Sequence, residues 1–513
     1  MMVKEDDDKP ATYPRLLVMF RHPSRHTYGF CEGVSYDLPL FELQTLIQDR
    51  DYKDIDINFI PVTKRSEPID NTLQLQSIQQ QQQRKQSRNQ LKKKKQKKNH
   101  NEAGTQSLYW LECSVDSVDD VISTAVSRAI LTHALFRIEY SASFSNDDWI
   151  SSVTNNEGEI HECLGEIDVI SMSNPNMSNE ECSNLLQTVS ILLQKHNDNA
   201  LQHLQPHLAG EDLILIYHCH EESNDNLKHY IHIGNRMAIG PAGTSSAPSQ
   251  TLRRTHRGIL KEYALKNRFG EVTAESDIST AMEPEIGFLM ANLALAGTDS
   301  GQRVMDPCCG SGSLLLYAAA LGATTLVGVD SLSSVWESAE DEFKRHTSVI
   351  GKNNSSMKLA IPTFFHGDVL DTTSTECLCV ANSFDAIVVD PPYNIGAPII
   401  LAGQDARPIN YHHHDEDDEE KGSGDIGETT IDTTPSILAI ARRVLVDDGR
   451  LVFFLPVRGE EMNMTLKQLL VTKGWQMAGS DEQLQVKFGT LQRFTPTFAR
   501  WLVCVTKSSV KDT

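Results

Sequence analysis

The second half of the chain alternates strand-like and helical segments, and this alternation restricts the fold more than any other feature. Strand-like runs, all rich in apolar residues, lie at 303–305, 325–329, 362–366, 386–389 and 450–455. Helical patterns lie between them, at 311–321, 334–346 and 435–446. Strands that alternate with helices predict a mostly parallel sheet covered on both faces. We therefore expect an α/β domain over residues 250–513, with ligands bound at the carboxyl ends of its strands.

Residues 10–240 show a different pattern, which predicts an α+β region with short strands. Strand-like segments lie at 13–20, 108–115, 134–140, 212–219 and 228–233, and helical periodicity lies at 117–131 and 182–195. The insert 74–104 is rich in Gln and then in Lys. Such a tract cannot bury enough apolar surface to offset the entropy of ordering, so we expect it to be disordered. An acidic insert at 404–430 is predicted to be a solvated loop in the second domain.

Length and charge exclude several classes of protein. The chain has 513 residues, too many for one ordinary domain, and its formal net charge is −22. Nine Lys or Arg and no acid lie within 84–98, so an acidic body carries one basic tract. This distribution argues against coating nucleic acid by bulk charge, whereas the tract fits either local phosphate contacts or a solvated linker. We expect a cytoplasmic protein with no membrane segment and no metal site, because apolar runs are short and the cysteines lack metal-site spacing.

The first candidate site follows the strand-like run that ends at Met305. It reads Asp306-Pro307-Cys308-Cys309-Gly310-Ser311-Gly312-Ser313 and opens a helical segment. A Gly-x-Gly turn lets the backbone approach a ligand, and the helix N-terminus offers free N–H groups. Asp330 ends the next strand, where an acid can accept hydrogen bonds from ribose hydroxyls. Leu315 replaces the third glycine of the dinucleotide fingerprint, so the motif indicates an adenosine-containing cofactor without a pyrophosphate.

A weaker signal follows the strand-like run 362–366. Asp368 is placed to bind an adenine amino group, and Val369 could supply a backbone N–H donor. A plain turn explains the same residues equally well.

The second motif is Asp390-Pro391-Pro392-Tyr393, directly after the strand-like run DAIVV. Two prolines fix φ and remove two N–H donors, so the segment is stiff and its carbonyls are available. Asp390 and the Pro391 carbonyl can accept hydrogen bonds from an amino group on an aromatic ring, while Tyr393 stacks on that ring. Two acceptors localise the nitrogen lone pair, which can then attack an activated methyl group aligned with it. The motif therefore indicates methylation of an exocyclic amine.

These motifs resemble those of the tRNA guanine-10 N2-methyltransferase family, in its catalytic subunit. Further similar segments are Tyr263–Arg268, Thr280–Glu285, Phe288–Asn292 and 108–150. The resemblance implies a THUMP-like RNA-binding region, followed by a Rossmann-like class I methyltransferase domain with a DPPY motif. It implies S-adenosyl-L-methionine as methyl donor, N2 of a guanosine at position 10 of tRNA as the target, and a small zinc-binding activator protein as heterodimer partner.

The resemblance also implies roles for single residues. Asp390, Pro391, Pro392 and Tyr393 would form the catalytic site that holds the guanine. The cofactor would be bound by Asp306, Pro307, Gly310, Gly312, Asp330, Asp368 and Val369. Two alternatives stay open: an amino-methyltransferase for rRNA guanine, nucleic-acid adenine or protein glutamine, and an RNA-binding scaffold without catalysis.

Overall fold

The computed structural model of the chain contains two compact units. The first comprises residues 1–256 without two short segments, 29–34 and 49–51, which group with residues 257–513 in the second. The structure describes residues 16–21, 37–48, 57–62, 106–113, 119–154, 167–172, 177–195, 213–223, 226–240, 282, 284–295, 302–331, 343, 360–371, 380–393, 432–475, 483–494 and 498–508. Both predicted inserts, 74–104 and 404–430, lie outside these ranges, as does the predicted helix 334–346 apart from Phe343. The domain limits 10–240 and 250–513 stay a prediction.

A seven-stranded sheet forms the described part of the first unit, in the order β2-β3-β1-β4-β7-β6-β5. Its strands are β1 (Leu16–Arg21), β2 (Ile57–Pro61), β3 (Gln106–Cys113), β4 (Thr132–Ser145), β5 (Asp168–Ser171), β6 (Leu213–Ser223) and β7 (Asn226–Ile239). Neighbouring strands run antiparallel, except that β5 and β6 are parallel. β4 and β7 have 14 residues each, so they are longer than the short strands that the sequence predicted.

Helices of the first unit cover this sheet with their apolar stripes. They are α1 (Asp37–Ile47), α2 (Asp119–Arg128), α3 (Asn146–Thr154) and α4 (Asn179–Lys195). Leu43 of α1 and Val126 of α2 pack with Phe20 of β1 in one core. Leu185 and Val189 of α4 join a separate core over β6 and β7. The predicted α+β class of this region is confirmed.

The second unit contains another seven-stranded sheet, in the order β10-β9-β8-β11-β12-β14-β13. Its strands are β8 (Arg303–Asp306), β9 (Thr325–Asp330), β10 (Thr363–His366), β11 (Phe384–Val389), β12 (Leu445–Arg458), β13 (Leu484–Arg493) and β14 (Phe498–Lys507). The strands from β10 to β12 in this order are mutually parallel, and β14 runs antiparallel to both β12 and β13. The predicted Rossmann-like, mostly parallel sheet is confirmed.

Helices lie on both faces of this second sheet. They are α5 (Pro284–Leu295), α6 (Ser313–Ala320), α7 (Thr434–Val444) and α8 (Leu466–Thr472). Phe288 of α5 packs against Tyr317 of α6, with ring centroids 4.8 Å apart. On the other face, α7 and α8 share a core with alternate residues of β11 and β12, including Phe453. Burial on both faces explains the continuous apolar runs in the middle of the sheet, 386–389 of β11 and 451–455 of β12.

The carboxyl ends of the parallel strands bring the sequence motifs to one edge of the sheet. β8 and β9 end at Asp306 and Asp330, and β11 ends immediately before Asp390. The first residue of β14, Phe498, pairs with Arg458, the last residue of β12. The end of β13 and the start of β14 therefore lie at the same edge, where ligands bind in open α/β sheets.

Candidate functional site

The turn between β8 and α6 is connected to the end of β9 by backbone and side-chain hydrogen bonds. The backbone N–H of Gly310 donates to Oδ2 of Asp330 at 2.8 Å. The N–H of Cys309 donates to the carbonyl of Val329 at 2.9 Å. The two predicted cofactor residues Gly310 and Asp330 are thus adjacent in the structure.

Two glycines give this turn its shape. Gly310 has a φ of +48° and Gly312 a φ of +73°, a region that costs other residues about 1–2 kcal/mol. A Cβ atom added at Gly310 would meet no atom within 4 Å, so open space adjoins the backbone there. Gly312 directly precedes α6 as its N-cap, and no side chain caps the first N–H groups of this helix. The arrangement has the room and the donors that a small polar ligand needs.

Asp306 supports the glycine turn from the buried side. Its side chain is 1% exposed, and Oδ1 accepts a hydrogen bond from the N–H of Cys308 at 3.1 Å. Burial raises the pKa of Asp306 well above its usual range, and the nearby Asp330 and Asp390 carboxylates raise it further. Pro307 is buried as well. These two residues hold the turn in place, whereas Gly310 and Asp330 are partly exposed.

The loop after β10 lies beside the same turn. The N–H of Gly367 donates to the backbone carbonyl of Asp330 at 3.0 Å. Oδ1 of Asp368 accepts a hydrogen bond from the N–H of Leu370 at 2.8 Å, which is the local turn that the sequence allowed as an alternative. The Val369 side chain is buried in the core. Both residues therefore adjoin the predicted cofactor site.

The segment after β11 forms the second half of the site. Asp390 and Tyr393 are partly exposed, and Pro391 between them is buried. Nη1 of Arg500 donates to Oδ1 and Oδ2 of Asp390, at 3.1 and 3.3 Å, and to the Tyr393 hydroxyl at 2.9 Å. Burial raises the pKa of Asp390 to about 6, although Arg500 acts in the opposite direction. This value lets the carboxylate accept a proton near neutral pH.

Arg500 was not among the predicted site residues, and its own position is fixed by two further contacts. Its Nε donates to Oε1 of Gln492 on β13 at 2.7 Å. Its guanidinium carbon lies 3.6 Å from the centre of the Phe454 ring on β12. The nearly continuous apolar run in 499–505 is the sequence signal for β14, and the arginine interrupts it.

An aromatic pair adjoins Tyr393 at this edge. The rings of Phe494 and Phe498 stack with centroids 5.4 Å apart, and Phe498 lies 5.9 Å from Tyr393. Phe494 is 50% exposed, unusual for so large an apolar side chain. Arg458 donates to the backbone carbonyl of Tyr393 and lies over the Phe498 ring. The site thus combines exposed aromatic faces with fixed positive charge.

Comparison with known proteins identifies the domain that carries this site. Residues 275–397 match the family described as UPF0020, RMKL-like methyltransferase domain. The matched range contains both the glycine turn and the Asp390–Tyr393 segment, so both halves of the site lie within the range that resembles a methyltransferase domain.

Similar proteins are known by name. A tRNA (guanine(10)-N(2))-methyltransferase TRMT11 of Dictyostelium discoideum is 30% identical over 223 residues, 39% of this chain and 41% of the relative. A tRNA (guanine(10)-N2)-dimethyltransferase of Methanothermobacter thermautotrophicus is 31% identical over 117 residues, 23% of this chain and 29% of that protein. The chain thus matches less than half the length of these relatives. The crystal structure of TrmN from Thermus thermophilus aligns over 96% of this chain and 99% of its own, with 13% identity and a TM-score of 0.36.

Three further observations concern the described residues as a whole. They contain no cluster of three or more His, Cys, Asp or Glu that could hold a metal ion. No helix among them has the length and apolar character needed to cross a membrane. The described cysteines are free thiols: Cys113, Cys182, Cys219, Cys308, Cys309 and Cys504.

Proposed function

We propose that this protein transfers a methyl group from S-adenosyl-L-methionine to N2 of a guanosine in tRNA, at position 10. The observation that carries the proposal is the position of Asp390 and Tyr393. They lie at the carboxyl edge of the sheet, in a methyltransferase domain, near a glycine turn with open space beside it. The names of the relatives supply the substrate, tRNA guanine.

The cofactor site has the groups that an adenosine-containing methyl donor needs. Gly310 offers open space, and the start of α6 offers N–H donors, for the polar end of the cofactor. Asp330 is the acceptor for the ribose hydroxyls. Asp368 and Val369 are proposed to line the adenine end, and the buried pair Asp306 and Pro307 holds the turn. When bound, S-adenosyl-L-methionine supplies a methyl group on a positively charged sulfur.

The segment from Asp390 to Tyr393 is proposed to present the amine. The carboxylate of Asp390 and the carbonyl of Pro391 accept the two amino hydrogens, which localises the lone pair on the nitrogen. Tyr393 stacks on the guanine ring, and Pro392 keeps the segment stiff. After methylation the nitrogen must lose a proton, and Asp390 can hold it because its pKa of about 6 lies near neutral pH.

The role of the first unit, the partner protein and the location are proposed from the resemblance to the tRNA guanine-10 N2-methyltransferase family. We assign the first unit, with its α+β sheet, to RNA binding as a THUMP-like region. A small zinc-binding activator protein is the proposed heterodimer partner, and the cytoplasm is the proposed location.

The test is methyl transfer from labelled S-adenosyl-L-methionine to unmodified tRNA, with the activator protein present and the products identified as nucleosides by mass spectrometry. Wild type should produce N2-methylguanosine. Asp390→Ala should lose activity by a factor of about 100 or more, because an acceptor made for the transition state is gone. Cofactor affinity should stay within a few-fold in this variant.

Asp385→Asn is the matched control, since Asp385 lies on the same strand but at its other end, paired with Arg303. It should retain methyl transfer. A wild-type protein that binds cofactor but methylates no tRNA nucleoside would refute the tRNA assignment, and rRNA and protein glutamine would become the substrates to test.

A further inference from the structure

Arg500 connects the two groups that are proposed to hold the target base. One nitrogen, Nη1, lies within 3.3 Å of both carboxylate oxygens of Asp390 and 2.9 Å from the Tyr393 hydroxyl. The side chain of Arg500 is only 9% exposed, while that of Asp390 is 23% exposed. The buried arginine therefore reaches the acid from the protein side and leaves part of the carboxylate accessible from outside.

The arginine is anchored so that it cannot easily leave. Gln492 accepts its Nε–H at 2.7 Å, and the Phe454 ring lies 3.6 Å below its guanidinium carbon. The centre of the Phe494 ring lies 5.1 Å from the same guanidinium carbon. A planar group held by one hydrogen bond along its edge and by an aromatic face has a single orientation, which lysine cannot reproduce.

We propose that Arg500 is a positioning residue for methyl transfer: its guanidinium keeps Asp390 charged and fixes this carboxylate and the Tyr393 ring where they receive the target amine. The inference rests on the proposed function of Asp390. Each carboxylate oxygen has two lone pairs, so the bonds to Arg500 leave acceptor capacity for an amino group. Arg500 also holds the hydroxyl of Tyr393, and this contact sets the plane of the tyrosine ring relative to the carboxylate of Asp390.

Burial of Asp390 makes this role necessary, because burial raises the pKa of the carboxyl group while Arg500 lowers it. Other acids lie in the same region: Asp330 at the end of β9, and Asp306 at the end of β8, whose own pKa is raised well above its usual range by burial. Asp368, after β10, adds a third carboxylate, and Arg458 on β12 contacts the backbone of Tyr393. Arg500 is thus a cation in direct contact with Asp390, and it acts against the burial that disfavours the ionised form of this carboxyl group.

The test compares wild type with Arg500→Gln and Arg500→Lys, using kcat for tRNA methylation between pH 5 and pH 9 at saturating substrates. In wild type the rate should rise with pH through an acid limb near pH 6, where Asp390 ionises. Arg500→Gln should move this limb upward by about one to three pH units, because the opposite charge is lost. It should also lower kcat at pH 7 by about a hundredfold. Arg500→Lys should keep the limb near its wild-type position with a smaller loss of kcat.

Arg303→Gln is the matched control, because it removes another arginine–aspartate pair of the same sheet. Arg303 donates to both oxygens of Asp385 at 3.1 and 3.2 Å, at the amino ends of β8 and β11. The control should leave the pH profile unchanged. A loss of kcat in Arg500→Gln with the acid limb unmoved would assign Arg500 a purely structural role and overturn the proposal.

A second readout does not depend on tRNA. Infrared difference titration follows the protonated carboxyl band that disappears in Asp390→Asn. Its midpoint should rise in Arg500→Gln and stay in place in Arg303→Gln. If the midpoint rises but wild type methylates no tRNA, the proposed function fails while the charge effect of Arg500 stands. An unmoved midpoint refutes the role of Arg500 whatever the substrate.

Discussion

Oδ2 of Asp330 accepts a hydrogen bond from the backbone N–H of Gly310 at 2.8 Å. This bond, together with the one from the N–H of Cys309 to the carbonyl of Val329, fixes the distance between the glycine turn and the acid proposed to bind ribose. Asp330→Ala removes both the support of the turn and the acceptor, so the Kd for S-adenosyl-L-methionine should rise about 10- to 100-fold, as for lost hydrogen bonds to a charged group. Isothermal titration calorimetry measures this directly.

Asp447→Asn is the control for that experiment, since Asp447 is exposed at the start of β12 and its removal should leave the Kd unchanged. An Asp330→Ala protein with wild-type affinity would contradict the proposed cofactor site.

Two substitutions of Tyr393 separate the contribution of its ring to methylation from the contribution of its hydroxyl. Tyr393→Phe keeps the ring and loses the contact with Arg500, so methylation of tRNA should fall less than tenfold, by about 1 kcal/mol. Tyr393→Ala also loses stacking on the base, worth about 1–3 kcal/mol more. The measurement is kcat/KM for tRNA in both variants. Equal losses would show that the ring does not stack on the substrate.

The sequence predicted the site residues at the ends of β8, β9 and β11 better than it predicted Arg500 on β14. The segments ending at Asp306, Asp330 and Asp390 were recognised because a buried parallel strand gives a continuous apolar run, followed by a loop of distinctive composition. The edge at which they converge follows from the direction of the strands. Their roles in binding and catalysis remain predictions, as do the THUMP-like assignment and the zinc-binding partner.

Arg500 could not be predicted in the same way. It lies on β14, which is separated from Asp390 by 110 residues and joins the sheet between β12 and β13. Local pattern gives neither this order nor the antiparallel direction of the strand.

In the first unit, α1 and β2 were missed for a related reason, because both are short and depend on the core formed with β1 and β3.

Glu42 of α1 is a buried acid with a structural role that can be tested. Its two oxygens accept the N–H groups of Ile130 and Leu131 at 2.8 and 3.0 Å, and its side chain is fully buried. Glu42→Ala leaves both donors without these acceptors, so the free energy of unfolding should fall by about 2–5 kcal/mol. Urea unfolding of the full chain measures the change. A loss below about 0.5 kcal/mol, typical of surface positions, would contradict this account.

His232 makes the stability of the first unit dependent on pH. Its Nε2 lies 3.1 Å from Nε2 of His218, and burial, followed by the neighbouring His218, lowers the pKa of His232 to about 3. Below about pH 6.5 the unfolded chain takes up a proton that the folded chain does not, so stability falls as pH decreases. Between pH 7.5 and 5.5 the loss from this group should be about 1.4 kcal/mol.

Urea titrations at the two pH values test this, with His232→Gln as the variant in which the pH dependence decreases. His366→Gln, at an exposed position of β10, should keep the wild-type dependence. A pH dependence that is identical in His232→Gln and wild type would refute the assignment.

The position of β14 also determines when the site can exist during synthesis. The ribosome makes Asp390 110 residues before Arg500, an interval of roughly 5 to 20 seconds at usual elongation rates. Over that interval the nascent chain has its glycine turn and its acid, but not the cation that accompanies the acid. β13 also cannot pair with its neighbour in the sheet at this stage, because that neighbour, β14, is translated after it. The proposed catalytic centre therefore cannot be complete until the strand that carries Arg500 has left the exit tunnel and paired with β12.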